Sequence, residues 1–257
     1  MKMKMNMLED QKILEEEFKG DSDRAAAIVG ASYLDELLRE IILEYLVEDT
    51  SKNNKELFSG NGPLSTFSSR INLSYRFGII SENERMMLHG IRGIRNEFAH
   101  KLAGASFSDE SIKQRSLNLS VPREMLMPND IPIPRTHEET VPLPTIVKAD
   151  ESDPRAIYQE AVTHVALLLR GRQAHCSQNK LRKVESYTRA TAPGREILRV
   201  HETLLERYES LIDKAKQLGK EIDQEDKEAL HRQDVLYRVN KYCLDQADRA
   251  HSEKNYA

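Results

Sequence analysis

Proline lacks a backbone N–H, and its ring clashes with the preceding turn, so a cluster of prolines forbids a continuous helix. Seven of the nine prolines in this chain fall between Pro122 and Pro154. The segment 121–153 must therefore be something other than a helix. It also carries Met125, Leu126, Met127, Ile131, Ile133, Val141, Leu143, Ile146 and Val147, which is too apolar for a freely solvated tether. We read it as an extended strap lying against a helical body, with a flexible linker as the alternative.

On either side the pattern is helical. Ala25, Ile28, Val29, Tyr33, Leu34, Leu37, Leu38, Ile41 and Ile42 recur at helical spacing and predict a long helix from Ser22 to Val47, after a first one over 7–18. A turn at Gly60-Asn61-Gly62-Pro63 opens a helix over Leu64 to Phe77, which Gly78 ends. Ser81 and Glu84 have capping-box spacing and start a helix running to Leu102. A short helix is expected over Ser108 to Leu117. After the strap, Asp153 and Pro154 suit a helix start, and that helix is expected to reach Ala174. Only 11 glycines in 257 residues agree with few turns.

The expected fold class is all-α: a helical bundle with a Pro-rich extended strap and a C-terminal helical hairpin. The expected division is a helical domain over 1–175, strap included, then a basic linker and the hairpin over 176–257. In the hairpin's first arm Ile197, His201, Leu204, Tyr208, Leu211, Ala215 and Leu218 alternate by four and three, a heptad seam. Pro193-Gly194 is read as the break before it. The second arm is placed over Glu225 to Ala250 with Leu230, Leu236, Val239 and Cys243. An intramolecular hairpin and a coiled coil between chains both fit three heptads.

The chain carries 38 Lys and Arg against 42 Asp and Glu, net −4, which excludes a uniformly basic nucleic-acid binder. The charge is uneven. Residues 170–199 are the most basic part and include Arg170, Arg172, Lys180, Arg182, Lys183 and Arg189. These residues are candidates for tracking an RNA backbone. A solvated face, or contact with the acidic start of the chain (Glu9, Asp10, Glu15, Glu16, Glu17), is the alternative. Two cysteines give no disulfide framework, and the expectation is a reducing, cytoplasmic setting. The start shows no secretory pattern. The longest apolar run, Ala161 to Leu169, falls well short of the ~20 residues a membrane span needs. No phosphate-binding glycine loop, nucleophile elbow or metal-ligand spacing appears, so no metal or cofactor is expected. His164, on an apolar face, is read as a satisfied core residue.

The segment Arg95-Asn96-Glu97-Phe98-Ala99-His100 has the ingredients for cleaving RNA through its own 2′-hydroxyl. Histidine exchanges protons near pH 7, and arginine makes bidentate contacts to phosphate oxygens. An amide such as Asn96 could hold the phosphate. On an ideal helix Arg95 and His100 stand about 140° apart with roughly 7.5 Å of rise, so one helix cannot aim both at one phosphate. Two facing copies could. His89, Gly93, Asn96 and His100 form one stripe. Met87, Ile91, Ile94, Phe98 and Leu102 form the opposite, core-facing one. Gly90 and Gly93 would let another backbone come close, which predicts a homodimer through this helix. The bland alternative is that these are ordinary surface or interface residues.

The runs Gly60-Asn61-Gly62-Pro63-Leu64-Ser65, Ser69-Arg70-Ile71 and Tyr75-Arg76-Phe77-Gly78-Ile79-Ile80 resemble the mannitol operon repressor family. So do Ser22 to Ala27, Leu34-Asp35-Glu36-Leu37-Leu38, the Arg95 to His100 segment and Phe107 to Ile112. The likeness spans residues 8–175. It implies an all-helical transcriptional regulator. No helix-turn-helix with a basic reading helix is visible, so repression would pass through a protein partner. The Arg95-Asn96-x3-His100 pattern also resembles HEPN-type ribonucleases. That likeness implies that Arg95 stabilises the phosphate, Asn96 positions it, and His100 acts on the 2′-hydroxyl or leaving group. It also offers Asp35 or Glu36 as an acidic supplement, with His89 nearby. Asp35 and Arg39 are alternatively spaced for an i,i+4 ion pair.

Two functions stand on these readings. One is a dimeric, metal-independent endoribonuclease of a toxin or defence type. The other is a non-catalytic regulator that binds another protein, with the C-terminal hairpin as a contact surface.

Overall fold

The computed structural model describes residues 14, 16, 18–20, 22–101, 104–128, 134, 136 and 140–253. The expected first helix, Leu102, Ile131, Ile133 and the acids Glu9, Asp10, Glu15 and Glu17 fall wholly or largely outside them. Among the described residues there are eight α-helices and no strand, the all-α class expected.

The helices begin where side chains satisfy their unpaired N–H groups. α1 (Asp23–Tyr45) starts at Ser22, whose hydroxyl accepts from the Ala25 N–H. α2 (Ser51–Phe58) starts at Thr50 in the same way and was not foreseen from sequence. α3 (Phe67–Arg76) is capped by Thr66 and begins three residues beyond the expected Leu64. α4 (Glu82–His100) has the full capping box of Ser81 and Glu84. α5 (Glu110–Leu117) follows. α6 (Pro154–Gln178) starts at Asp153, whose carboxylate accepts from the N–H groups of Arg155 and Ala156.

These six helices form one unit, Met1–Lys183. α1 is central and packs against α6, α4 and α3, while α5 bridges α4 and α6. The core holds Leu34, Leu38, Ile41 and Ile42 of α1, Ile91, Ile94 and Phe98 of α4, and Tyr158, Val162 and Val165 of α6. Phe107 stacks between Phe98 and Tyr158, with ring centroids 4.9 and 5.3 Å away.

Among the described residues of the strap there is one 3-10 turn at Arg123–Met125 and no α-helix. Its start is docked: Val121 is buried and Leu126 packs on the core. Towards its end the Ala149 N–H donates to Glu160 of α6 at 2.6 Å. Between them Leu143 is almost fully exposed. The strap walls a cleft of about 490 Å³ with Leu126, Met127, Val147 and Ala149 facing Tyr33 and α6.

The second unit, Val184–Ala257, is the helical hairpin. α7 (Ala192–Gln217) and α8 (Gln224–Glu253) pack on each other. Pro193 does not break a helix here. It lies in the first turn of α7, where its missing N–H costs nothing. The expected seam holds only in part: His201 and Ala215 are half-buried. Ile197, Leu204, Tyr208, Leu211 and Leu218 face solvent. The side turned to α8 carries Leu198, Leu205 and Ile212, one position on.

Candidate functional site

α4 presents the Arg-Asn-x3-His segment. Its inner face is fixed by Leu88, Ile91, Ile94 and Phe98, all buried, which turns Arg95 and His100 to solvent and leaves Asn96 half-buried. The Arg95 guanidinium donates to Asn96 Oδ1 at 3.1 Å. His100 is the last residue of the helix. Beyond it, Arg24 of α1 donates to the Lys101 carbonyl. A cation there suits the negative end of the helix.

The acidic candidates are differently occupied. Asp35 accepts from Arg70 Nη1 at 2.5 Å, an ion pair across 35 residues, and does not pair with Arg39. Arg39 instead holds Glu36, also at 2.5 Å. Burial pushes the Asp35 carboxyl above its usual range, with Arg70 opposing and Arg95 also pulling it down from further off. His89 is half-buried and its Nε2 lies 3.1 Å from Asn72 Oδ1. Burial lowers its pKa, helped by the charges of Arg92 and Arg85.

At Gly90 the close approach expected from a second copy is made by the chain itself, while Gly93 meets only the tip of a flexible arginine. A Cβ on Gly90 would stand 2.7 Å from Leu119 Cδ2, and one on Gly93 would meet Arg115 Nη1 at 3.4 Å. The close approach Gly90 permits is made by the turn after α5.

The basic candidates are partly spent inside the first unit. Arg170 lies 3.5 Å from Glu40, Arg172 holds Glu84 at 3.1 Å, and Lys180 holds Glu48 at 2.8 Å. Arg182, Lys183 and Arg189 are exposed, and the boundary between the units runs between Lys183 and Val184. Sequence reasoning gave no role to Arg70, which is buried and donates to the carbonyls of Leu64 and Phe58 as well as to Asp35. Nothing local in the sequence sets Arg70 apart, because its partners lie 6, 12 and 35 residues away.

His164 is buried as expected but is not satisfied. Neither ring nitrogen finds a hydrogen-bond partner among the described residues. Burial lowers its pKa, opposed by the charge of Glu84. Among the described residues no three His, Cys, Asp or Glu side chains are grouped to hold a metal ion, and no helix is long and apolar enough to cross a membrane.

No protein-family model matches the chain, and no curated protein matches it. Among solved structures it is similar to one described as the X-ray structure of the MtlR-HPr complex from Escherichia coli. The similarity covers 65% of this chain and 98% of that one, at 22% sequence identity and a TM-score of 0.40.

Proposed function

We propose that the chain is a non-catalytic regulator that acts by binding another protein and neither reads DNA nor cuts RNA. The observation that carries this reading is the second unit. The hairpin holds ten large apolar side chains at least 40% exposed, such as Tyr208 on one arm and Tyr242 on the other. Exposed apolar surface on that scale marks an interaction site. The charges that an RNA-binding enzyme would offer point the same way, because Asp35, Arg172 and Lys180 are engaged by residues of the same unit.

The test is to end the chain at Lys183. The core cluster runs from Leu14 to Cys176, so the first unit keeps its packing. Partner capture from cells is expected to be lost while thermal unfolding of the first unit persists. Full capture by the shortened chain overturns the reading.

A second reading is favoured by one feature: Arg95 and His100 are both exposed, with Asn96 bracing the guanidinium. Here the chain supplies half of a metal-independent endoribonuclease site. Arg95 would neutralise the phosphate, Asn96 position it, and His100 move the proton, with Arg182 and Lys183 of the same unit along the backbone. The assay is incubation with tRNA and mixed RNA in EDTA. Cleavage abolished by Arg95→Ala and by His100→Ala establishes this reading against the first. Cleavage that survives both unchanged sinks it.

A further inference from the structure

α7 carries two apolar faces, and the hairpin uses one. Towards α8 it turns Leu198, Leu205 and Ile212. Gly194 lets Leu244 come within 2.7 Å of where a Cβ would sit, and Arg195 grips Asp245 and Asp248 at 2.8 and 2.5 Å. About a quarter to a third of a turn away on the wheel, Ile197, Val200, Leu204, Tyr208, Leu211 and Leu218 remain 45% to 72% exposed. Their spacing of three, four, four, three and seven keeps them on one line roughly 30 Å long.

We propose that this line is the self-association surface of the chain, packed antiparallel against the same line of a second copy, so that two hairpins form a four-helix bundle. Two arguments select a second copy. The first is area. Six such side chains at these exposures present roughly 600 Å² of apolar surface, the upper end of what a monomer exposes. Two copies together bury about 1,200 Å², the threshold of a stable interface.

The second is charge. Glu196 and Lys214 lie 18 residues apart, five full turns, and so share one edge of the line. Both are exposed, and Glu196 also accepts from the Tyr187 hydroxyl. An antiparallel two-fold near Leu204 sets Glu196 of each copy against Lys214 of the other, twice. A parallel arrangement turns that edge of each copy towards the opposite edge of the other, and neither Glu196–Lys214 pair forms.

The inference takes six of the ten exposed apolar side chains of the hairpin and leaves Val235, Leu236, Val239 and Tyr242 for the partner of the functional reading, and neither RNA cleavage nor capture of another protein enters its test. Sedimentation equilibrium of the full chain at about 50 µM is expected to give twice the 29.5 kDa chain mass. Leu204→Glu with Leu211→Glu is expected to give the single-chain mass with helicity unchanged by circular dichroism. Should that double variant lose helicity, a charge swap decides. Glu196→Lys is expected to weaken association at least about fivefold, and Lys214→Glu in the same chain to restore it. A monomeric full chain, a dimer indifferent to the double substitution, or a swap that fails to restore association overturns the proposal.

Discussion

Leu119 occupies the space that a side chain on Gly90 would need, its Cδ2 2.7 Å from the Cβ position. Gly93, one turn on, meets only the tip of Arg115 at 3.4 Å. Replacing a helix-interior glycine by alanine gains about 1 kcal/mol of helix propensity. At Gly90 that gain is offset by overpacking against a buried leucine, worth about 1–3 kcal/mol. Gly93→Ala is therefore expected to raise the urea midpoint, and Gly90→Ala to leave it unchanged or lower it. Equal gains at both sites would mean that Leu119 does not sit there.

Arg70 joins three elements with one guanidinium: the Leu64 carbonyl at 2.8 Å, the Phe58 carbonyl at 3.3 Å and Asp35 at 2.5 Å. A lysine cannot reproduce that fork. Arg70→Lys is expected to cost about 1–3 kcal/mol in denaturant unfolding, since two buried carbonyls lose their donors. A double-mutant cycle with Asp35→Ala is expected to show a coupling of at least about 0.5 kcal/mol. A cycle that closes additively would remove Arg70 as the link between α1 and α3.

What was legible in the sequence was local. Ser22, the Ser81 and Glu84 pair, and Asp153 with Pro154 announce helix starts because a side chain or a missing N–H answers the first turn's own needs. What failed was partner choice. Asp35 lies four residues from Arg39, yet folding brings Arg70 to it from 35 residues away. Gly90 and Gly93 show that something approaches, without showing that it comes from the same chain. In α7 the heptad left its contact open between the hairpin and a second chain, and the large apolar side chains that are most covered, Leu198, Leu205 and Ile212, stand one position on from Ile197, Leu204 and Leu211. A step from Leu204 to Leu205 rotates the face by about 100°, and both positions are leucine.

Glu84 is buried, caps α4 and receives Arg172 at 3.1 Å. Burial alone would raise its pKa, but the Ser81 N–H and Arg172 outweigh it and hold the carboxyl below its usual range. A carboxyl depressed in the fold stabilises it above the unfolded value of 4.5, and that stability is lost as pH falls through the folded value. Glu84→Gln is expected to cost about 1–2 kcal/mol at pH 7. The gap in melting temperature between wild type and variant is expected to narrow from pH 6 to pH 3. A gap that stays constant would mean Glu84 is not charged in the fold.

His164 works in the opposite chemical sense with the same acid lability. Its burial without a partner favours the neutral ring, so the folded pKa lies below 6.5. Stability from that group is complete above the unfolded value and falls as pH drops beneath it, because unfolding then takes up a proton. His164→Leu removes both the proton uptake and the unsatisfied nitrogens. It is expected to raise the melting temperature, by more at pH 5.5 than at pH 8. A larger gain at pH 8 would contradict a neutral buried ring.

Leu198 and Ile197 are neighbours in sequence and opposites in the hairpin, 8% and 59% exposed. Truncating a side chain packed between two helices removes contacts on both, and Leu198→Ala is expected to cost the second unit about 1–3 kcal/mol. Ile197→Ala, made on solvent-facing surface, is expected to change it by less than about 0.5 kcal/mol. Both are measured at submicromolar chain concentration, where any pairing of copies has dissociated, by unfolding of the full chain or by protease sensitivity within 184–253. If Ile197→Ala were the costlier of the two, the arms would be closing through the heptad line, and no apolar face of α7 would remain for a second copy.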